Sequence, residues 1–120
     1  MRKTIFIVDD DIAILEVLKI ILEDNGYNVV SISNGGDVQK RIQNEKPSLI
    51  LLDIWISGYD GRDIAQSLKR NLETADIPII VVSAHNDTKR IAKEAGADDF
   101  LAKPFDMHEL TTMVHKYVNS

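Results

Sequence analysis

Leu49-Ile50-Leu51-Leu52-Asp53 is a four-residue apolar run that ends in a carboxylate, and a loop holding Gly58, Asp60 and Gly61 follows it. A short apolar run bounded by turn residues reads as a strand buried on both faces. In open α/β sheets ligands collect outside the carboxyl ends of such strands, so this reading places Asp53 at the mouth of a site. Taken alone, an aspartate after a strand is more often a turn or cap residue. The remainder of the chain decides between the two.

Working outward, Ile5 to Val8 is a second apolar run ending in acids, Asp9, Asp10 and Asp11, and Ile12, Leu15, Leu18 and Leu22 then recur at helical spacing up to Gly26. Tyr27 to Ile32 is β-rich, and Asn34-Gly35-Gly36 opens a second helix through about Asn44, marked by Val38 and Ile42 and stopped by Pro47. After the central run, Asp60 caps a third helix carrying Ile64, Ala65 and Leu68, with Asp63 in its first turn. Ile77 to Val82 is a fourth strand with Pro78 near its start, where a missing N–H harms a ladder least, and it ends at Ser83. Asn86 or Asp87 caps a fourth helix closed by Gly96, and Asp98 to Leu101 is a short fifth strand before Lys103-Pro104. Asp106 with Glu109 starts the last helix, whose Leu110, Met113, Val114 and Tyr117 form an apolar stripe.

Five strands alternating with five helices demand a parallel sheet with helices on both faces and right-handed crossovers. At 120 residues the chain reads as one domain over 1–120, with no output domain, that buries roughly two-thirds of its unfolded surface. The absence of cysteine excludes thiol catalysis and thiolate metal sites. No signal-peptide core and no membrane-length apolar run is present, so a cytoplasmic location is expected. A net charge of −5 argues against direct nucleic-acid binding, which rests on clustered Lys and Arg.

The residues that follow the buried strands are Asp9 and Asp10 after the first, Asp53 after the third, Ser83 after the fourth and Lys103 after the fifth, and in a parallel sheet these positions share one edge. Carboxylates brought together repel, and protonation or capture of a cation relieves them. A hard oxygen site with room for water suits Mg²⁺. Lys103 adds a compact positive charge and Ser83 a hydroxyl donor, which complement the oxygens of a phosphoryl group beside a metal. The chemistry suggested is phosphoryl transfer onto a carboxylate.

Four stretches, IFIVDDD, LLDIWISGYDG, IIVVSAH and GADDFLAKPF, resemble in this order the receiver domains of two-component response regulators, including the single-domain chemotaxis regulator. The resemblance spans essentially the whole chain. It implies a flavodoxin-like, doubly wound, three-layer α/β/α fold with strand order 2-1-3-4-5. It implies that Asp53 is the nucleophile and phospho-acceptor for a phosphohistidine on a sensor histidine kinase or phosphotransfer protein, or for a small acyl phosphate. Asp9, Asp10, Asp53 and the Trp55 carbonyl would hold Mg²⁺, Lys103 would neutralise phosphoryl charge, and Lys103-Pro104 matches the family's cis peptide. Ser83 and Phe100 match the hydroxyl and aromatic switch positions, so phosphorylation would bias a two-state surface. The chain departs from the pattern at Ser57, where many receivers have proline. By the same resemblance, Trp55 and His85 match the family's variable positions that tune hydrolysis of the phosphoaspartate.

Plainer readings compete at several positions. Asp11 reads as a helix cap, Phe100 reads equally well as core, and His85, His108 and His115 lack metal spacing and read as exposed. An aspartate-nucleophile phosphatase would carry a second acid two residues after the nucleophile, where this chain has Trp55. Asn34-Gly35-Gly36 is followed by no nucleotide-binding glycine pattern. The surviving alternative is a receiver-like interaction module that no longer uses phosphorylation. By the resemblance, a downstream target would read the face of helix 4, strand 5 and helix 5, with Lys89, Arg90, Lys93, His108, Thr112 and Lys116 exposed. Helix 1 near Ile12, Ala13 and Leu15 would dock the histidine-bearing partner. The expected state is a monomer, with a phosphorylation-dependent dimer through the helix 4 to helix 5 face as the alternative.

Overall fold

Alternating side chains along the apolar runs sort into two cores, one on each face of a single sheet. The computed structural model describes residues 2–56, 58–84 and 86–119. Its sheet strands are β1 (Thr4–Val8), β2 (Asn28–Ile32), β3 (Leu49–Asp53), β4 (Ile79–Ser83) and β5 (Asp99–Ala102). The helices are α1 (Ile12–Asp24), α2 (Val38–Asn44), α3 (Gly61–Arg70), α4 (Thr88–Ala95) and α5 (Met107–Val118). All four pairings are parallel and the strand order is β2-β1-β3-β4-β5, the order that the family resemblance implies. The expectations attached to Ser57 and His85 lie outside the described residues.

Ile5, Ile7, Leu49, Leu51, Ile80 and Val82 point to one face, where Leu15, Leu18 and Leu22 of α1 and Leu110, Val114 and Val118 of α5 cover them. Phe6, Val8, Ile50, Leu52 and Ile79 point to the other, against Val38 and Ile42 of α2 and Ala65 and Leu68 of α3. Val81 meets Ile91 and Ala92 of α4 on that side together with Ile54. This period of two on a doubly covered sheet is why the strands read as continuous apolar runs. Each fully buried Leu or Ile contributes about 1.5–3 kcal/mol relative to exposure.

Local chemistry sets the helix starts. Asp11 accepts from the N–H groups of Ala13 and Ile14, Asp60 from Arg62, and Asp106 from Glu109, so in α1, α3 and α5 an aspartate side chain caps the first turn. Gly96 ends α4 with φ +77°, the left-handed conformation that glycine adopts without cost.

The structure corrects the sequence reading at several points. The fourth strand begins at Ile79 rather than Ile77, because Pro78 has no N–H to give the ladder; its carbonyl still accepts from Ile50 N at 3.0 Å. Ser83 is the last residue of β4, not the first after it, and β5 runs from Asp99 to Ala102. The second helix starts as a 3₁₀ turn over Gly35–Asp37, where the Asn34 side chain accepts from Gly36 N at 2.8 Å. Leu15 is 4% exposed and belongs to the core under α1, so it is not a docking residue. The loop after Asp53 holds a two-stranded antiparallel ribbon in which Trp55 pairs with Asp60 and Ile56 with Tyr59, with Gly58 at φ +76°.

Candidate functional site

The register of the sheet brings the strand-end residues together. β1, β3 and β4 run side by side, so Asp9, one residue beyond β1, stands near Asp53 at the end of β3, and Asp53 pairs with Val82, the neighbour of Ser83. Carboxylate oxygens of Asp9, Asp10 and Asp53 all lie within 4.8 Å of one another. Asp9 is buried, Asp53 half-buried and Asp10 exposed.

Asp9 is held on both oxygens: Oδ1 accepts from Asp11 N at 2.9 Å and Oδ2 from Lys103 Nζ at 2.9 Å. Asp53 Oδ1 accepts from Ile54 N at 2.8 Å, while its Oδ2 lies 3.7 Å from Lys103 Nζ. Burial and then the neighbouring Asp9 raise the Asp53 pKa from 3.8 to about 6, against the opposing pull of Lys103 and the Ile54 hydrogen bond. Two acids crowding a third, with one lysine between them, form a site short of positive charge. Its donors are hard oxygens with an exposed member open to water, which fits a divalent cation of the Mg²⁺ type.

Lys103 reaches the cluster from the loop after β5, and its own N–H donates to the Ser83 carbonyl at 2.9 Å. The Lys103-Pro104 peptide is cis. Ser83 is 2% exposed, and its carbonyl also accepts from the hydroxyl of Thr88, the buried first residue of α4, at 3.3 Å. Phe100, half-buried, packs against Ile54, Val81, Ile91 and Ala92. That cluster joins the residue after Asp53 to the inner face of α4, and Phe100 pairs across the ladder with its member Val81.

Two residues at the start of α3 carry roles that the sequence reading did not assign. Gly61 donates to the Ile54 carbonyl at 2.6 Å, and a Cβ there would be driven into the Asp53 carbonyl oxygen and lie 2.9 Å from Ile54 Cα. Only glycine lets α3 begin against the backbone that carries the acid, and the Asp60-Gly61 pair at a helix start was the signal for it. Arg62 forks the Asp60 carboxylate and holds it below the ordinary carboxylate range. Trp55 and Tyr59 are exposed, and with Asp10 and Asp60 they line a groove of about 480 Å³ beside the acids. A second groove, of about 520 Å³ with mostly apolar walls, runs from α1 to Lys103 and includes Ala13, Val17, Leu18, Ala84, Pro104 and Phe105.

The family model described as the response regulator receiver domain matches residues 5–115. This chain belongs to that family. Among curated relatives of the receiver domain, the phosphate regulon transcriptional regulatory protein PhoB of Pseudomonas aeruginosa is 43% identical over 110 residues, 90% of this chain and 48% of that protein. The DNA-binding response regulator MtrA of Mycobacterium tuberculosis is 34% identical over 116 residues, 95% of this chain and 50% of that protein. The chain therefore spans about half the length of the curated relatives it matches. Of solved structures, a CheY-like receiver domain protein from Methanospirillum hungatei superposes with TM-score 0.90 at 29% identity, covering 99% of this chain and 95% of that one. The signal receiver domain of a signal transduction histidine kinase from Syntrophus aciditrophicus gives TM-score 0.91 at 30% identity, with 98% and 90% covered. The receiver fold and strand order expected from the sequence stand. No helix among the described residues is long and apolar enough to cross a membrane.

Proposed function

We propose that Asp53 is the phospho-acceptor of this receiver domain, taking its phosphoryl group from a phosphohistidine of a sensor histidine kinase or phosphotransfer protein. The observation that carries this reading is the convergence of Asp9, Asp10 and Lys103 on Asp53 at the carboxyl edge of the sheet. An Asp53 carboxylate oxygen attacks phosphorus, the P–N bond to the donor imidazole breaks with its electron pair returning to the nitrogen, and an acyl phosphate results. With a pKa of about 6 the carboxylate is mostly ionised at neutral pH, as a nucleophile must be.

Asp9, Asp10, Asp53 and the Trp55 carbonyl are the residues that would hold Mg²⁺, whose bound charge offsets the phosphoryl oxygens. Lys103 supplies the second positive charge, in contact with Asp9 and within reach of Asp53. Ser83 would then turn to the phosphoryl oxygens and Phe100 would follow it. The ladder supports this, because Ser83 and Phe100 sit on adjacent strands and Ser83 is tied through Thr88 to α4.

The apolar groove between α1 and Phe105 opens beside Lys103, which suits a partner helix that presents a histidine to Asp53; Ala13 and Val17 replace Leu15 as its α1 members. Lys89, Arg90, Lys93, His108, Thr112 and Lys116 are exposed around α4 and α5, as a target-binding face requires. With a net charge of −5, these residues do not themselves bind nucleic acid in this reading, and the site works in the cytoplasm as a monomer or phosphorylation-dependent dimer. Treatment with acetyl phosphate and Mg²⁺ tests the proposal by mass spectrometry. One phosphoryl group gained by the wild type and none by Asp53→Asn is the expected result. No gain, or a gain that survives the substitution, would leave the phosphorylation-independent module instead.

A further inference from the structure

Trp55, Asp60 and Arg62 close on one another beside the acceptor. Trp55 and Asp60 are cross-strand partners in the ribbon. The Arg62 guanidinium donates from Nη2 to Asp60 Oδ2 at 2.7 Å and from Nε to both carboxylate oxygens at 3.1 Å. The same guanidinium lies 5.5 Å from the centroid of the Trp55 ring. The N-cap of α3 does not require this arrangement, because the Asp60 side chain caps the helix through Arg62 N at 2.9 Å, a bond that any residue at 62 except proline could supply.

What the guanidinium adds is a rigid cation fixed by a fork on one side and presented to an indole on the other. Trp55 is 54% exposed, so without a partner its ring would sample several rotamers in water. It forms a wall of the groove that also contains Asp10.

We propose that Arg62 is a positioning residue: it holds the Trp55 indole along the groove that contains Asp10, where the ring limits how water reaches a phosphoryl group on Asp53 and thereby lengthens the life of the phosphoaspartate. This rests on the acceptor role of Asp53. Hydrolysis adds water to the acyl phosphate, breaks the bond between the Asp53 oxygen and phosphorus, and releases inorganic phosphate with the carboxylate regenerated; Arg62 takes no part in those bonds and acts only through the ring.

Trp55 is the only tryptophan, so its fluorescence reports this position alone. Acrylamide quenching of the unphosphorylated protein and phosphoryl lifetime after loading with acetyl phosphate and Mg²⁺ are compared for wild type, Arg62→Gln and Arg62→Lys. Arg62→Gln is expected to quench more readily and to shorten the lifetime roughly two- to fivefold, the factor that a surface cation–π contact supports. Arg62→Lys, which keeps a cation but loses the fork, should fall between. Adding Trp55→Ala to Arg62→Gln should shorten the lifetime little further, since both remove one interaction. Unchanged quenching, an equal or longer lifetime in Arg62→Gln, or additive effects in the double variant would each overturn the proposal. A wild type that takes up no phosphoryl group overturns the acceptor reading and this proposal with it. That outcome is distinct from failure of the clamp alone, in which the wild type is phosphorylated and the variants match it.

Discussion

Lys103 Nζ donates to Asp9 Oδ2 at 2.9 Å, across 94 positions of sequence, with the two side chains only 17% and 6% exposed. The lysine thus occupies an oxygen that a divalent cation would also seek. Removing it leaves a buried carboxylate beside two others, and breaking such a pair is costly even where the intact pair contributes little. Lys103→Met is expected to lose about 2–4 kcal/mol of stability near neutral pH in chelator, read by urea unfolding. Magnesium should then stabilise the variant more than the wild type, because the competing cation is gone. A weaker magnesium response than wild type would sink the competition argument.

Asp53 makes the stability of the fold depend on pH. Its pKa rises from 3.8 to about 6 on folding, so between these values the folded protein keeps a proton that the unfolded chain has released. Its contribution to stability is therefore most favourable at low pH and declines as pH climbs through that window, with the full cost of the charge present above it. Asp53→Asn removes that cost. In metal-free buffer near neutral pH it should be more stable than wild type by about 1–3 kcal/mol, and the gap should narrow toward acid pH. Urea midpoints across this range check it, and a gap that widens in acid contradicts the assignment.

Gly61 packs against the backbone of Asp53 and Ile54, where a Cβ has no room. Gly61→Ala is expected to cost about 1–3 kcal/mol through overpacking and to slow labelling by acetyl phosphate, since α3 must move away from the acid. Gly96→Ala is the comparison. It meets only Lys69 Cγ at 3.9 Å and costs about 1–2 kcal/mol from its left-handed φ, with labelling unchanged. Equal labelling in the two variants would show that the close approach does not position Asp53.

Tyr117 Oη donates to Asp99 Oδ2 at 2.8 Å and to the Asp98 carbonyl at 3.1 Å, tying α5 to the start of β5. Burial, then the Asp99 hydrogen bond and charge, push its pKa from 10.0 up to about 12. An ultraviolet titration of wild type minus Tyr117→Phe should therefore show a transition near that pH, and the variant should lose about 1 kcal/mol. A difference transition at the ordinary tyrosine value would contradict the contact.

Much of this molecule is readable without coordinates. The apolar runs Ile5–Val8, Leu49–Leu52 and Ile77–Val82 alternate with amphipathic helices, and a parallel sheet is the only economical way to cover such strands on both faces. Once that is granted, Asp9, Asp10, Asp53, Ser83 and Lys103 must meet at one edge, and Asp11, Asp60 and Asp106 fall where helix caps are needed. These are consequences of local periodicity and chain direction. Only the tertiary structure decided that Lys103 bonds Asp9 and stands off Asp53, that Ser83 lies within β4, and that Arg62 meets Trp55. Those contacts depend on strand register, sheet twist and rotamers set by packing between distant segments, where a shift of a few tenths of a nanometre exchanges one charged partner for another, and local sequence does not constrain distances of that kind.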